Sequence, residues 1–217
     1  MYTLAEENYL KAIFHLEQEF NKAVPTNAIA EKLQMKASSV TDMIQKLSDK
    51  GLVDYRKYKG ATLSKEGKKV AAIIIRKHRL WEVFLVEKLN FQWDEVHPIA
   101  EQLEHIQSDE LINRLDALLD HPDYDPHGDP IPDKNGVIKT ADKKILSELT
   151  KGQGGILVGV RETSSEFLHY LDKRDISIGT RIKVLGREFF DGSMVLQVRE
   201  EQFFISKKIA ENLYIQI

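Results

Sequence analysis

The sequence predicts a mainly helical chain that ends in a small β-barrel. Three observations predict it. Apolar residues recur at helical spacing through roughly the first 120 residues. The stretch "HPDYDPHGDPIPDKNG" then holds four of the six prolines and two glycines, the composition of a loop or linker. Beyond Ile156 the pattern shortens to alternating strands with glycine turns, "ILVGVRE", "GTRIKVLG", "SMVLQVR" and "QFFISKK", broken by one helical segment, "SSEFLHYLDKR".

The first 63 residues read as three helices and a hairpin. Ala5–Gln18 is helical, with Leu10, Ile13 and Phe14 on one side. Pro25-Thr26 opens a second helix that ends near Leu33. A third runs from about Ser38 to Lys50, with Val40, Met43, Ile44 and Leu47 at i, i+3, i+4 and i+7. Gly51 stops it in the usual position after a helix end. "LVDYRKYKGATLS" gives two short strands about Tyr58-Lys59-Gly60. This order predicts a winged helix-turn-helix. Its DNA-facing candidates are Lys36 just before the third helix, Ser38, Ser39, Thr41, Asp42 and Gln45 on it, and Arg56, Lys57 and Lys59 on the wing. Short polar side chains near a helix N-terminus can approach base edges, and wing cations suit backbone phosphates.

Ser64 is placed to cap a long helix over about Lys65–Leu89. It is apolar around more than one face, which suits burial between domains or subunits. Another helix follows from about Asp94. Ser108 caps a further one, ending near Asp120, with Asp109 and Glu110 favourable in its first turn. Thr140–Leu149 reads as a connector or short helix.

Composition narrows the function. The chain has 217 residues, 42% hydrophobic and 30% charged, and no cysteine. Disulfides, thiolate catalysis and cysteine-ligated metal sites are excluded. No apolar run reaches the ~18 residues of a membrane span, and the N-terminus lacks a signal-peptide pattern, so a cytoplasmic protein is expected. The net charge of −3 hides an asymmetry. Residues 36–79 carry twelve Lys and Arg against four Asp and Glu, a local +8. A basic block in an acidic chain points to a polyanion partner, here double-stranded DNA.

"HPIAEQLEH", from His97 to His105, gathers two histidines and two glutamates. On a helix, His97, Glu101, Glu104 and His105 fall within one stripe of ~100°. His78 and Glu82 form a second pair at i, i+4. Imidazole and carboxylate together suit divalent first-row metals. A buried salt-bridge network is the competing explanation, and a metallohydrolase with a carboxylate–histidine site is the alternative from another class. Against the hydrolase stand the basic wing, the lack of HExxH and the absence of any separate nucleophile or oxyanion arrangement.

The stretches "ENYLKAI", "SSVTDMIQKLSDKGLV", "RKHRLWEVFLVEKL", "VHPIAEQLEHIQSDEL" and "HGDPIP" resemble the diphtheria-toxin-repressor (DtxR/MntR) family of iron- or manganese-activated regulators, over nearly the whole chain. The resemblance implies a winged helix-turn-helix domain over residues 1–72, a helical metal-binding and dimerisation domain over 73–140, and an SH3-like (FeoA-type) domain over 141–217. It implies a primary metal site at Asn8, Glu101, Glu104 and His105, with Glu6 or Glu7 as alternative first-helix ligands. It implies an ancillary site at His78, Glu82 and His97, joined by Glu162 and Glu166. The expected cofactor is Mn²⁺ or Fe²⁺, and the expected assembly is a homodimer on a palindromic operator of metal-uptake genes. Glu101 stands where iron-type members have cysteine. Oxygen in place of sulfur favours Mn²⁺, with an Fe²⁺-dependent repressor as the alternative. Asn8 stands where manganese-type members usually have Asp, and Lys11 where some have Glu.

Overall fold

A computed structural model describes residues 2–20, 22–139 and 142–217. The chain divides into two compact units. The first comprises residues 1–78, 101–112 and 131–139; the second comprises 79–100, 113–130 and 140–217. Three of the five boundaries fall within α4 (Lys65–Leu89), α5 (His97–Leu103) and α6 (Asp109–Leu118).

The first unit opens with α1 (Leu4–Phe20), α2 (Thr26–Lys32) and α3 (Ala37–Asp49). A reciprocal cap starts α1: Glu6 N–H donates to Thr3 Oγ1 at 3.3 Å, and Thr3 N–H donates to Glu6 Oε2 at 3.1 Å. Tyr9, Leu10, Ile13 and Leu16 of α1 pack with Ile29 and Ala30 of α2 and with Val40, Ile44 and Leu47 of α3. Gly51, at φ +71°, ends α3 as its position predicts. The wing is an antiparallel pair, β1 (Val53–Arg56) and β2 (Gly60–Leu63), in register Val53↔Leu63 to Arg56↔Gly60. Gly60 is required there. Its φ is +100°, and a Cβ would meet the Val24 carbonyl oxygen at 2.6 Å, where Val24 bridges Ala61. Ser64 Oγ accepts from Gly67 N at 3.0 Å and caps α4.

The second unit is built on a six-stranded antiparallel sheet in the order β3-β8-β4-β5-β6-β7. The strands are β3 (Lys144–Ile145), β4 (Gly154–Val160), β5 (Arg181–Arg187), β6 (Met194–Val198), β7 (Glu201–Ile205) and β8 (Leu213–Gln216). Leu157, Ile182, Val184, Leu196 and Ile215 line its core together with Phe167, Leu168 and Leu171 of α7 (Ser165–Asp172). The sequence reading stopped short of the last elements, α8 (Lys207–Ala210) and β8. Four residues of "LYIQ" carry too weak a period to stand out, yet β8 pairs with both β3 and β4. Of the expected connector 140–149, residues 140 and 141 lie outside the described residues; the remainder forms β3 and a 3-10 turn over Leu146–Glu148.

The proline-rich stretch is not a slack linker. Asp125 Oδ1 accepts from His127 N at 2.8 Å and Asp129 N at 3.0 Å, and Val160 N of β4 donates to the His127 carbonyl at 2.9 Å. Gly128 lets the loop lie on β4: its φ is +82°, and a Cβ would meet the Val158 carbonyl oxygen at 1.9 Å.

Candidate metal centre and nucleic-acid interface

In the first unit, α1 brings Glu7, Asn8 and Lys11 to one face, at i, i+1 and i+4. Facing them is the end of α5. The helix closes at Leu103, so Glu104 and His105 lie in the turn that follows rather than on a continuous helical stripe. The turn lets adjacent side chains converge. Glu104 is buried, and its Oε2 lies 2.6 Å from Lys11 Nζ and 2.7 Å from His78 Nδ1. Glu101 Oε1 lies 2.6 Å from the same ammonium. His105 Nδ1 lies 2.6 Å from Glu7 Oε2, and its Nε2 lies 3.8 Å from Glu104 Oε1. Gln107 Nε2 donates to Glu7 Oε1 at 2.7 Å.

Two oxygens here have no hydrogen-bond partner although buried: Asn8 Oδ1 and Glu104 Oε1. A buried acceptor without a partner is costly. Glu104 shares Lys11 with a carboxylate, Glu101, and lies beside an imidazole, His105, while Asn8 follows Glu7, the partner of His105, on α1. That is the donor set of a divalent first-row cation, with oxygen and nitrogen only. The residues therefore fit a metal. Glu6 and Glu7, the alternative first-helix ligands, are both engaged. Glu6 Oε1 accepts from Lys50 Nζ at 2.6 Å and pairs with Lys46 Nζ at 2.9 Å, both on or next to α3. These lysines hold the Glu6 carboxyl down at about 2 against the cost of its burial.

In the second unit, Glu82 of α4 is buried between two imidazoles. Its Oε1 lies 3.2 Å from His97 Nδ1, and its Oε2 lies 3.5 Å from His127 Nδ1. Glu82, Asp125 and His127 bring ligand atoms within 4.8 Å of one another, all buried. Burial pushes the Asp125 carboxyl up to about 7, helped by the nearby charges of Glu82 and Asp129. Burial disfavours a charge on His127, but Glu82 overcomes it and holds the imidazole up at about 9. His127 Nε2 contacts the Trp93 carbonyl at 2.8 Å, and the two rings stack. Three anionic or basic groups sharing protons in a buried pocket make a second candidate metal centre.

The expected ancillary set is distributed as follows. His78 belongs to the first unit, against Lys11 and Glu104. Glu82 and His97 belong to the second and meet each other. Glu162, before α7, and Glu166, in its first turn, are exposed, and Glu162 Oε1 accepts from Ser164 N at 2.9 Å; neither is in the Glu82–Asp125–His127 group. Asp125 and His127 were missed from sequence. They sit about 45 residues from Glu82 in a stretch whose prolines and glycines read as a loop. The alternation of acid and imidazole within "DYDPHGD" was the signal available.

The expected DNA face is solvent-facing in the first unit. Ser38, Ser39, Asp42 and Gln45 of α3 are exposed, as are Lys36 before it and Arg56, Lys57 and Lys59 of the wing. Thr41 is half-buried, its hydroxyl donating to the Ala37 carbonyl at 2.9 Å. The Lys36 side chain does not cap the α3 N-terminus, an end of a helix that suits an anion.

Comparison with known proteins settles the family. Residues 1–61 match the iron-dependent repressor N-terminal DNA-binding domain, and residues 64–133 match the iron-dependent repressor metal-binding and dimerisation domain. The chain belongs to the iron-dependent repressor (DtxR/MntR) family. Residues 144–217 match the FeoA domain. The iron-dependent repressor IdeR of Mycobacterium tuberculosis is 32% identical over 190 residues, 83% of this chain and 78% of that one. The diphtheria toxin repressor of Corynebacterium glutamicum is 29% identical over 193 residues, 84% of each chain. Among solved structures, a manganese-dependent transcriptional repressor complexed with manganese superposes with a TM-score of 0.87 at 33% identity, covering 97% of this chain and 98% of that one. ScaR with bound Zn²⁺ gives 0.79 at 34% identity, with the same coverage. The protein is thus a metal-dependent transcriptional repressor, not an enzyme, of a family that binds DNA and dimerises through its metal-binding domain. Its relatives are described as iron-dependent or manganese-dependent. Among the described residues, no helix is long and apolar enough to cross a membrane.

Proposed function

We propose that this repressor answers to Mn²⁺ in preference to Fe²⁺ and, as a homodimer, silences metal-uptake genes from a palindromic operator. The carrying observation is the pair of buried, partnerless oxygens, Asn8 Oδ1 and Glu104 Oε1, in a centre without sulfur. Asn8, Glu101, Glu104 and His105 would hold the ion, which supplies the positive charge that these oxygens lack. A carboxylate at 101, where a thiolate would favour softer ions, tilts the preference to the harder one. The relative with a TM-score of 0.87 is described as manganese-dependent.

The chain's own residues connect this centre to the DNA-reading helix. Asn8 lies two residues from Glu6, whose carboxylate grips Lys46 and Lys50 on α3. Fixing α1 through Asn8 therefore fixes α3 as well. Metal raises operator affinity only through its differential affinity for that arrangement. Glu82, Asp125 and His127, with His97 beside them, form a second metal centre in the other unit.

The test is operator binding against free metal held at buffered concentrations, for Mn²⁺ and Fe²⁺ in turn. Activation at lower relative occupancy by Mn²⁺ supports the reading; stronger activation by Fe²⁺ assigns the protein to the iron-type repressors, the class that IdeR's name describes.

A further inference from the structure

The sheet of the second unit has two edges, and they differ. β3 is two residues long and offers little to a neighbouring chain. β7 runs over Glu201–Ile205 and, among the described residues, pairs only with β6, in unbroken register and without proline. An edge strand of that length presents a row of backbone donors and acceptors, which proteins ordinarily blunt. Here it is decorated with aromatic surface instead. Phe204 stands 73% exposed on the strand, and Phe189 and Phe190 are fully exposed in the turn between β5 and β6.

The hairpin decides which backbone groups are open. The two-residue turn Arg199-Glu200 joins Val198 to Glu201, and that pair closes the ladder. Hydrogen-bonded and open pairs alternate from there. Phe203, opposite Leu196, and Ile205, opposite Met194, therefore bond to β6, whereas Gln202 and Phe204 turn their N–H and C=O groups outward. Ile205 is buried in the core and Phe203 packs against it, which leaves the Gln202 and Phe204 side chains on the outer face.

The charges at its ends decide what fits this edge. Glu200 and Glu201 stand at the start of β7, and Lys207 and Lys208 just past its end, all exposed. Among the described residues Glu200, Glu201 and Lys208 form no ion pair, and Lys207 reaches Glu211 at 3.5 Å. Acid at one end and base at the other make the strand complementary to itself run backwards. The two-fold registers open to an antiparallel copy centre on residue 202, 203 or 204. Centred on 202, the acids meet the partner's Phe203 and Phe204. Centred on 203, Arg199 meets the partner's Lys207. Centred on 204, Glu201 meets the partner's Lys207 and Glu200 the partner's Lys208. Opposite charges across a strand pair are favourable and like charges unfavourable, so the charges select the register centred on 204.

We propose that β7 pairs with β7 of a second copy of this chain, antiparallel and centred on Phe204, and so joins one homodimer to another. The contact is self-complementary, as a two-fold interface must be, and the two Phe204 rings lie side by side. The β5–β6 turn lies past the Ile205 end of β7: Arg187 pairs with Met194 and Met194 with Ile205, and a Cβ on Gly192 would meet the Lys207 side chain at 3.0 Å. The partner's Arg199-Glu200 turn comes to that end and covers Phe189 and Phe190. The family's dimer contact belongs to the metal-binding and dimerisation domain, residues 64–133 here, so the β7 edge is additional to it. The proposal takes the homodimer reading above as its starting point and is independent of which metal is bound.

The experiment weighs the assembly. Full-length protein with Mn²⁺ is followed by sedimentation velocity over a dilution series. Wild type is expected to double its mass as concentration rises. The double variants Glu200→Lys/Glu201→Lys and Lys207→Glu/Lys208→Glu are each expected to stay at the lower mass, because each sets like charges together. An equimolar mixture of the two is expected to double again, since every charge contact between unlike variants is then opposite in sign. Amide hydrogen exchange gives the location: the Gln202 and Phe204 N–H groups should slow on association, and the Phe203 N–H, already bonded to β6, should not. Gln202→Pro decides if a charge variant fails to fold. Proline there removes only an outward N–H, spares the β6 ladder, and is expected to hold the protein at the lower mass. The proposal is overturned by wild type that never doubles, by doubling that persists in Gln202→Pro, by a mixture that stays at the lower mass, or by a doubled form whose Gln202 and Phe204 amides exchange as before. Failure of the homodimer reading looks different: the series would then start from the mass of a single chain, and doubling above it would still decide the β7 contact.

Discussion

Nδ1 of His105 and Oε2 of Glu7 lie 2.6 Å apart, and Gln107 steadies the same carboxylate from the other side at 2.7 Å. A carboxylate beside Nδ1 fixes the ring proton there and leaves Nε2 as the acceptor that faces the Glu104 orphan oxygen. Carboxylate partners of this kind orient metal-ligating imidazoles and raise their basicity. We propose that Glu7 positions His105 rather than binding the metal itself. Glu7→Ala should weaken Mn²⁺ binding about 10–100-fold without changing the number of ions bound. Competition with a coloured chelator measures both quantities. A change in stoichiometry would instead make Glu7 a ligand.

Glu6 ties α1 to Lys46 and Lys50 on and next to α3, and it also contributes to stability. Its carboxyl is lowered from 4.5 to about 2 by Lys50 and Lys46. A lowered carboxyl pKa contributes stability above the unfolded value, and that contribution is lost as pH falls from about 4.5 through about 2. The full shift corresponds to ~3 kcal/mol; because both lysines are largely exposed and screened, roughly 1–2 kcal/mol is expected. Glu6→Gln should lose that amount at pH 7, and its urea-unfolding curve should approach the wild-type curve toward pH 2. A constant difference across that window would rule out the ion pairs as the source.

Proton release should mark the second centre. With no metal bound, Asp125 sits at about 7 and His127 at about 9, so a proton resides on His127 and partly on Asp125 at neutral pH. An ion that takes both groups as ligands must expel those protons. Calorimetric titrations in buffers of different ionisation enthalpy should reveal proton release near pH 7, with affinity rising as pH climbs toward 9. His127→Ala together with Asp125→Ala should remove one bound ion per chain and abolish that release. Unchanged release in the double variant would locate it elsewhere.

The wing and α3 should act differently on DNA. Arg56 and Lys59 are exposed cations suited to phosphates. Each neutralised phosphate adds about −0.9 to the log–log salt slope, so Arg56→Ala or Lys59→Ala should flatten the slope and weaken all sequences alike. Ser39→Tyr should abolish operator binding and leave metal binding intact, since bulk at an exposed α3 position blocks approach to the groove. Footprint protection persisting in Ser39→Tyr would remove α3 from the groove.

Much of this architecture is written in local patterns. Val40, Ile44 and Leu47 fix α3 by spacing, Gly51 and Ser64 mark helix ends, and Tyr58-Lys59-Gly60 marks the wing. These are short-range effects of periodicity and capping, which a sequence displays directly. The candidate metal centres are legible in the sequence as residue types but not as groupings. Periodicity carried the "HPIAEQLEH" helix through His105, whereas it ends at Leu103, and helix ends are where such reasoning is weakest. The meeting of Glu82 with Asp125 and His127 depends on a loop pinned to β4 by Gly128, a long-range contact without local signature. Lys11 was visible as a residue type; that its ammonium joins Glu101 and Glu104 required the fold.

The central claim is that metal bound through His105 switches on operator binding. The most direct measurement is fluorescence anisotropy of an operator duplex, titrated with wild type and His105→Ala at buffered free Mn²⁺, with metal-free melting temperatures as control. The expected result is tight binding by wild type only with Mn²⁺, none by His105→Ala at any buffered level, and metal-free stabilities that differ little. Metal-triggered binding by His105→Ala, together with a sharp loss of its metal-free stability, would make the cluster a structural polar network and contradict the account.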